Sequence, residues 1–447
     1  MAGGWRQNGS KGDRARKAAK SAFPAGVAWP AGIATAGIAW YAADSLRHRR
    51  EGSHGYELRG EVDVSEPSFL RAAEALTGAP VSYGNDVELL INGDQIFPAY
   101  LEGIRSAQET VNLLTYAYWR GDIATEVADT LCEKSRAGVE CNIVIDAVGA
   151  ARMERDLVKK MRDAGVRVCY FRPPKLYAVR RLQYRTHRKL LIVDGAVGFT
   201  GGVGIAEEWT GDAQDPDHWR DTHVRVRGPV VRGLQGAFAE NWLECTGEVL
   251  AGDRYLPDLD AVEDGGPMQV MRSRATVGDS NAEALTYLAI AAAKKSVELT
   301  AAYFVPRPAF NQALVEAAKS GVHFRILVPG SHIDKEFVRT AGRASYDELI
   351  DAGIEIYEYG PTMLHAKSLT VDNAWASVGS VNFDNRSFQL HDEVSLCVQS
   401  KAFAQELHAV FEQDLERSER IELGAWRDRP VTQRAREGVT KYARREL

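Results

Sequence analysis

Residues 362–393 read TMLHAKSLTVDNAWASVGSVNFDNRSFQLHDE. They hold His365-x-Lys367, then Asp372 after four residues, then Gly379-Ser380-x-Asn382. Working outward, the core of this stretch recurs upstream as His187-x-Lys189, Asp194 and Gly201-Gly202. On a strand, residues two apart face the same way, so each His and its Lys are expected on one face. The apolar runs Leu190-Leu191-Ile192-Val193 and Leu369-Thr370-Val371 support strands. Asp194-Gly195 and Asp372-Asn373 then read as tight hairpin turns. The two aspartates are expected to brace those hairpins rather than touch a substrate. The Gly-rich turns that follow are expected to turn free backbone N–H groups toward an anion.

Imidazole serves as nucleophile or general acid near neutral pH, and a neighbouring ammonium neutralises phosphoryl oxygens. Two such pairs facing each other would supply one histidine to attack and one to protonate the leaving oxygen. That is the equipment for phosphoryl-type transfer through a phosphohistidine. Two copies in matching strand–turn–strand contexts argue against coincidence.

These residues resemble the phospholipase D superfamily, whose mark is a doubled His-x-Lys-x4-Asp motif, and within it the bacterial cardiolipin synthases. Thr186 to Lys189 with Phe199 to Gly202 match the first motif, Trp219 to Val224 the segment after it, and Gly379 to Phe388 the second. The similarity runs from about residue 84 to about residue 426. The resemblance implies a metal-independent, cofactor-free phosphatidyl transferase. Such an enzyme joins two phosphatidylglycerols, or another phospholipid and phosphatidylglycerol, through a phosphatidyl-histidine. The alternative is a phospholipase D-type hydrolase of phospholipid or, less favoured, of nucleic acid.

The same resemblance implies catalytic roles for His187, Lys189, His365 and Lys367. It casts His187 as nucleophile and His365 as acid/base, an order the sequence alone does not set. It assigns Asp221 and Glu393 as the acids that orient the imidazoles, since a carboxylate on Nδ1 fixes the tautomer and stabilises the cation. It assigns Ser380 and Asn382, with the backbone of Gly201 and Gly202, to phosphate binding. Gly202 and Gly204 stand where the second motif has Ser380 and Asn382, so backbone groups are expected to serve there.

The rest of the chain is consistent with this. Its 447 residues are 45% hydrophobic, enough for one large or two medium cores. A net charge of −6 supplies no field for recruiting nucleic acid. The five cysteines have neither zinc-site nor disulfide-framework spacing, and no Asp/Glu/His cluster has metal-ligand spacing. Residues 1–50 form a basic leader enclosing an uncharged stretch, 21–43, long enough to cross a bilayer but rich in Ala and Gly. The expected location is the cell membrane, peripheral or through this single anchor, with the membrane surface and phosphatidylglycerol as partners and no nucleic acid.

Residues 51–83 read as a connecting region with a helix near 68–76. Strands alternating with helices then mean an α/β fold. Residues 84–250 form a first half, 251–270 a linker, 271–426 a second half and 427–447 a charged tail. Ala164-Gly165-Val166 and Ala352-Gly353-Ile354 precede the two motifs in like manner. The expected architecture is therefore two duplicated phospholipase D-like α/β/α sandwich halves about a pseudo-twofold axis, with one active site between them. Within it Asn92-Gly93 is expected as a turn and 341–353 as one helix. Arg180, Arg181, Arg185 and Arg188 are a candidate docking patch for anionic headgroups.

Overall fold

The apolar runs beside the two motifs are buried at nearly every position, as strands covered on both faces must be. The computed structural model describes residues 57–174, 183–276 and 279–430. In the first half the strands are β1 (Val81–Ile91), β2 (Thr110–Thr115), β3 (Glu140–Asp146), β4 (Arg167–Phe171), β5 (Leu190–Val193), β6 (Val197–Gly201) and β7 (Thr222–Arg227). In the second they are β8 (Gly266–Ser273), β9 (Ser296–Ala301), β10 (His323–Pro329), β11 (Glu355–Tyr359), β12 (Lys367–Val371), β13 (Trp375–Gly379), β14 (His391–Gln399) and β15 (Ser418–Arg420).

The first half is ordered β1-β7-β6-β5-β2-β3-β4, and the second repeats it as β8-β14-β13-β12-β9-β10-β11, with β15 on the outer edge. In both, a parallel trio (β2-β3-β4 or β9-β10-β11) is linked by helical crossovers, and the motif hairpin lies antiparallel against it. β1 and β8 pair antiparallel, which joins the halves into one sheet. This is the duplicated α/β fold that the motif spacing implies.

Several local expectations change. His187 and His365 do not sit on strands; they lie in extended segments just before β5 and β12. Asn92-Gly93 is not a turn, because a helix, Asn92–Ser106, starts directly there. Asn92 takes φ 57°, and its side chain donates to Asp212 and accepts from the Asp221 N–H. The helix expected over 341–353 is two, Glu336–Arg343 and Tyr346–Asp351. Ser345 breaks it, its hydroxyl donating back to the Gly342 carbonyl at 2.6 Å.

Residues 51–83 are also more than a connector. The helix Pro67–Thr77 buries Phe69, Leu70 and Ala73 in the core of the second half, Phe69 packing on Trp375 at 5.6 Å. Cys169 and Cys245 form a disulfide between β4 and the helix Val231–Thr246, contrary to the cysteine reading. They are 76 residues apart, and spacing says nothing about such proximity. No helix among the described residues is long and apolar enough to cross a membrane. The leader segment 21–43 lies outside the described residues, as does the tail beyond residue 430.

Candidate active site

Each motif hairpin is tied down by its aspartate. Asp194 and Asp372 take positive φ, 51° and 53°. Short polar side chains tolerate that conformation. The Asp194 carboxylate accepts the N–H groups of Gln108, Glu109 and Thr110 at 2.8 Å. Asp372 accepts those of Lys294, Lys295 and Ser296 in the same way, at 2.7–2.8 Å. Each aspartate thus fastens its hairpin to the start of β2 or β9, so the motif enters the site at a set angle.

The two halves then exchange support. Arg185 and Thr186 pair in parallel with His391 and Asp392 of β14, and Arg220 bridges Leu364. The His187 N–H donates to the Asp392 carbonyl at 2.8 Å, and the His365 N–H to the Arg220 carbonyl at 2.7 Å. These bridges put each histidine beside the carboxylate that follows its pairing partner. His187 Nδ1 lies 3.0 and 3.1 Å from the two Glu393 oxygens. His365 Nδ1 lies 2.7 Å from Asp221 Oδ2. Both motif imidazoles are therefore oriented by an acid of the opposite half. An Nδ1–H donated to carboxylate leaves the Nε2 lone pair available. Neither Nε2 has a protein partner among the described residues.

The two carboxylates are held differently. Glu393 accepts hydroxyl protons from Ser380 and, at 2.7 Å, from Ser387. Asp221 accepts the indole N–H of Trp209 at 2.9 Å and its own neighbour's N–H, from Thr222, at 2.8 Å. Gly202 occupies the place of Ser380 because a Cβ there would stand 2.1 Å from Asp221 Oδ1. Gly204 occupies the place of Asn382 because Trp209 and Ala117 fill the space a side chain would need, 2.9 Å from an added Cβ.

These contacts redirect the expected phosphate ligands. The N–H groups of Gly202 and Ser380 are not free, since they donate to the carbonyls of Thr222 (3.1 Å) and Val394 (2.9 Å). The Ser380 hydroxyl is committed to Glu393. Gly201 packs against β7, where a Cβ would stand 2.4 Å from His223 Nδ1. Of that group only Asn382 keeps an uncommitted side-chain atom, a buried Oδ1 with no partner.

Lys189 and Lys367 are buried beside the imidazoles. Lys189 Nζ donates to the His187 carbonyl at 2.9 Å; Lys367 Nζ donates to the His365 carbonyl and lies 2.9 Å from His365 Nδ1. Burial, reinforced by the facing Lys367 charge, holds the Lys189 ammonium well below the ordinary lysine range. Burial brings Lys367 down to about 8, with Asp221 and Glu393 opposing the shift. Burial lowers both imidazoles well below 6.5, and the lysine charges add to this at His365. Burial raises Asp221, whereas at Glu393 the His187 and His391 contacts outweigh burial and hold the carboxyl far below its usual range. Ligand atoms of His187, His391 and Glu393 come within 4.8 Å of one another. Both Glu393 oxygens are already occupied by hydroxyl donors there, and the site lysines oppose a divalent ion.

The arginines near the motif form no exposed docking patch. Arg185 is buried on Asp146 at 2.9 Å, and Arg188 is fully buried against Glu240, Asn241 and three carbonyls. Arg180 and Arg181 lie outside the described residues. Four contributors were missed in the sequence. They are Ser387 and Trp209 on the carboxylates, Tyr116 edge-on to His187 at 5.1 Å, and Trp219 at 5.5 Å from His365. Tyr116 follows directly on β2 and Trp219 stands two residues before Asp221; those placements were the available signals.

Comparison with known proteins finds one family in both halves. The family described as "Cardiolipin synthase, PLD-like domain" matches residues 100–215 and 288–415, one segment per half. A cardiolipin synthase of Alkalihalophilus pseudofirmus is 34% identical over 375 residues, 83% of this chain and 74% of that protein. A cardiolipin synthase of Halalkalibacterium halodurans is 34% identical over 363 residues, 81% of this chain and 72% of that protein. Among solved structures, a phosphatidylserine synthase of Haemophilus influenzae superposes with a TM-score of 0.66 at 13% identity. It covers 85% of this chain and 99% of its own, which shows the shared fold.

Proposed function

The chain belongs to the family of phospholipase D-like cardiolipin synthases, and on that premise we propose that it joins two phosphatidylglycerols through a phosphatidyl-histidine, releasing glycerol. Phosphatidyl transfer of the cardiolipin synthase type is the activity its relatives support. The observation that carries the mechanism is the crossed pairing, Glu393 on His187 and Asp221 on His365. It orients both imidazoles by Nδ1 and leaves both Nε2 atoms for a phosphorus chemistry.

In the first step His187 Nε2 attacks the phosphorus of one lipid. A P–N bond forms, the bond to the glycerol headgroup oxygen breaks, and His365 protonates that oxygen. In the second step His365 takes the proton of an incoming hydroxyl, whose oxygen attacks the phosphorus and expels His187. Lys189 and Lys367 neutralise the phosphoryl oxygens. His365 must be an imidazolium in the first step, although its surroundings favour the neutral ring. A phosphodiester anion between the two lysines counters their charge and restores its basicity. Ionised Glu393 then stabilises the cationic character of His187 as it carries the phosphorus.

A lipid substrate implies work at a membrane surface. We assign attachment to the leader around residues 21–43, which predicts that chain lacking residues 1–50 leaves the membrane fraction on cell lysis.

The deciding experiment incubates the full chain with vesicles of labelled phosphatidylglycerol and resolves the products. Cardiolipin with an equivalent of glycerol is expected, unchanged by EDTA. Phosphatidic acid as the main product would make it a hydrolase. Near-normal turnover by His187→Ala or His365→Ala would remove the mechanism.

A further inference from the structure

Beyond the two motifs, each half sets a cation on an aromatic ring within the same pair of loops, though not at the same position of the first loop. In the first half the chain leaves β2 and reaches Trp119; the loop after β3 returns Arg152, its guanidinium 4.7 Å from the ring centroid. In the second half the chain leaves β9 and reaches Tyr303; the loop after β10 returns Lys335, its Nζ 4.7 Å from that ring. Both cations are exposed, and among the described residues neither makes an ion pair. Asp334, the nearest acid along the chain, is held on the same tyrosine without pairing with Lys335: its two oxygens accept the Tyr303 hydroxyl at 2.8 and 2.9 Å.

The Lys335 loop leans on the reaction centre. Ile333 and Trp219 both pack against a cluster that includes Tyr303, Val338 and Met363. Trp219 is 5.5 Å from His365, and Met363 precedes His365 by two residues. The Lys335 charge is also among those that depress Lys189, His365 and Lys367.

The proposed reaction brings two phosphodiesters into one cleft. One is at the reacting phosphorus, where the motif lysines are used. The other belongs to the acceptor lipid and lies one glycerol unit from the hydroxyl that His365 deprotonates. We infer that Lys335, seated on Tyr303, holds this second phosphodiester and so selects a phospholipid alcohol over free glycerol or water. The inference rests on the cardiolipin-forming reading above. An exposed ammonium with no ion-pair partner among the described residues suits a phosphate oxygen, and the ring beneath it restricts where that charge sits.

The test is a competition within one reaction. The full chain is given vesicles of phosphatidylglycerol together with labelled free glycerol, which attacks the same intermediate but carries no phosphate. The readout is the ratio of cardiolipin to label exchanged into phosphatidylglycerol. Lys335→Ala should lower this ratio about tenfold, the equivalent of one charge-assisted contact. Lys335→Arg should restore most of it, and Arg152→Ala should move it far less. An unchanged ratio in Lys335→Ala overturns the inference. So does an equal drop in Arg152→Ala, which would make the effect one of general rim charge. Loss of both products in Lys335→Ala also overturns it, since that places the lysine in a step common to all acceptors. If the unmodified chain exchanges glycerol but forms no cardiolipin, it is the functional reading that fails.

Discussion

The His187 and His365 stations occupy equivalent places in a duplicated fold, yet their carboxylates live in different surroundings. Under His187, Glu393 takes two hydroxyl donors and stays ionised far below the usual range. Under His365, Asp221 is one methylene shorter, takes an indole N–H and a backbone N–H, and is raised by burial. Glycine at 202 follows from that difference, because Asp221 occupies the space that the Ser380 side chain fills in the other half. The two halves share a backbone scheme and differ in their proton environments. On the proposed mechanism, a firmly ionised acid suits His187, which would become cationic on bonding to phosphorus, and a less firmly ionised one suits His365, which would trade a proton with each alcohol.

The largest test of this asymmetry separates the two histidines. His187→Ala should cut turnover by at least about 10⁴-fold and leave no trapped phosphatidyl-enzyme in a quench that avoids acid, to which a P–N bond is labile. His365→Ala should slow turnover about 10²–10⁴-fold. With a substrate whose leaving group needs no proton, it should still form the intermediate, visible as label on the quenched protein. Label on His365 in place of His187 would reverse the assignment.

The acids should differ in the same sense. Glu393→Gln is expected to cost about 10³–10⁴-fold in kcat, comparable with loss of the buried acid in other imidazole systems, and Asp221→Asn only about tenfold. Equal losses would mean that the two surroundings have no functional consequence. Gly202→Ser would impose the second half's residue on the first. It should destabilise the fold by about 1–3 kcal/mol in denaturant titration, because the added side chain collides with Asp221.

The smallest expected effect is on pH dependence. Lys367 is charged below about 8 and neutral above it. If that charge neutralises the phosphoryl group, kcat/KM falls as pH rises through about 8. In Lys367→Arg that limb should move upward and out of the working range, at some cost in rate from the changed shape. A limb that stays in place belongs to another group.

Much of the fold was readable because its signals are local. Alternating β and α segments, the turn-forming aspartates and two His-x-Lys pairs each depend on neighbours a few residues away, and duplication repeated them. The local misreadings share a cause. Asn92-Gly93 has turn chemistry, but its backbone serves a close approach to the 209–212 segment, where an added Cβ on Gly93 would stand 2.2 Å from the Trp209 carbonyl. Arg185 and Arg188 look like a basic loop, and only the packing around Asp146 and Glu240 shows them buried.

By itself the sequence determined the duplicated α/β architecture and both imidazole–ammonium pairs, since strand periodicity and turn chemistry act over a few residues. Which acid serves which histidine was decided only in three dimensions, across 206 residues for Glu393 and 144 for Asp221. So were the commitment of Ser380 to a carboxylate, the packing of the 67–77 helix into the second half and the union of Cys169 with Cys245. Each of these is a contact between segments that the sheet order brings together, and nothing in the local chain encodes that order.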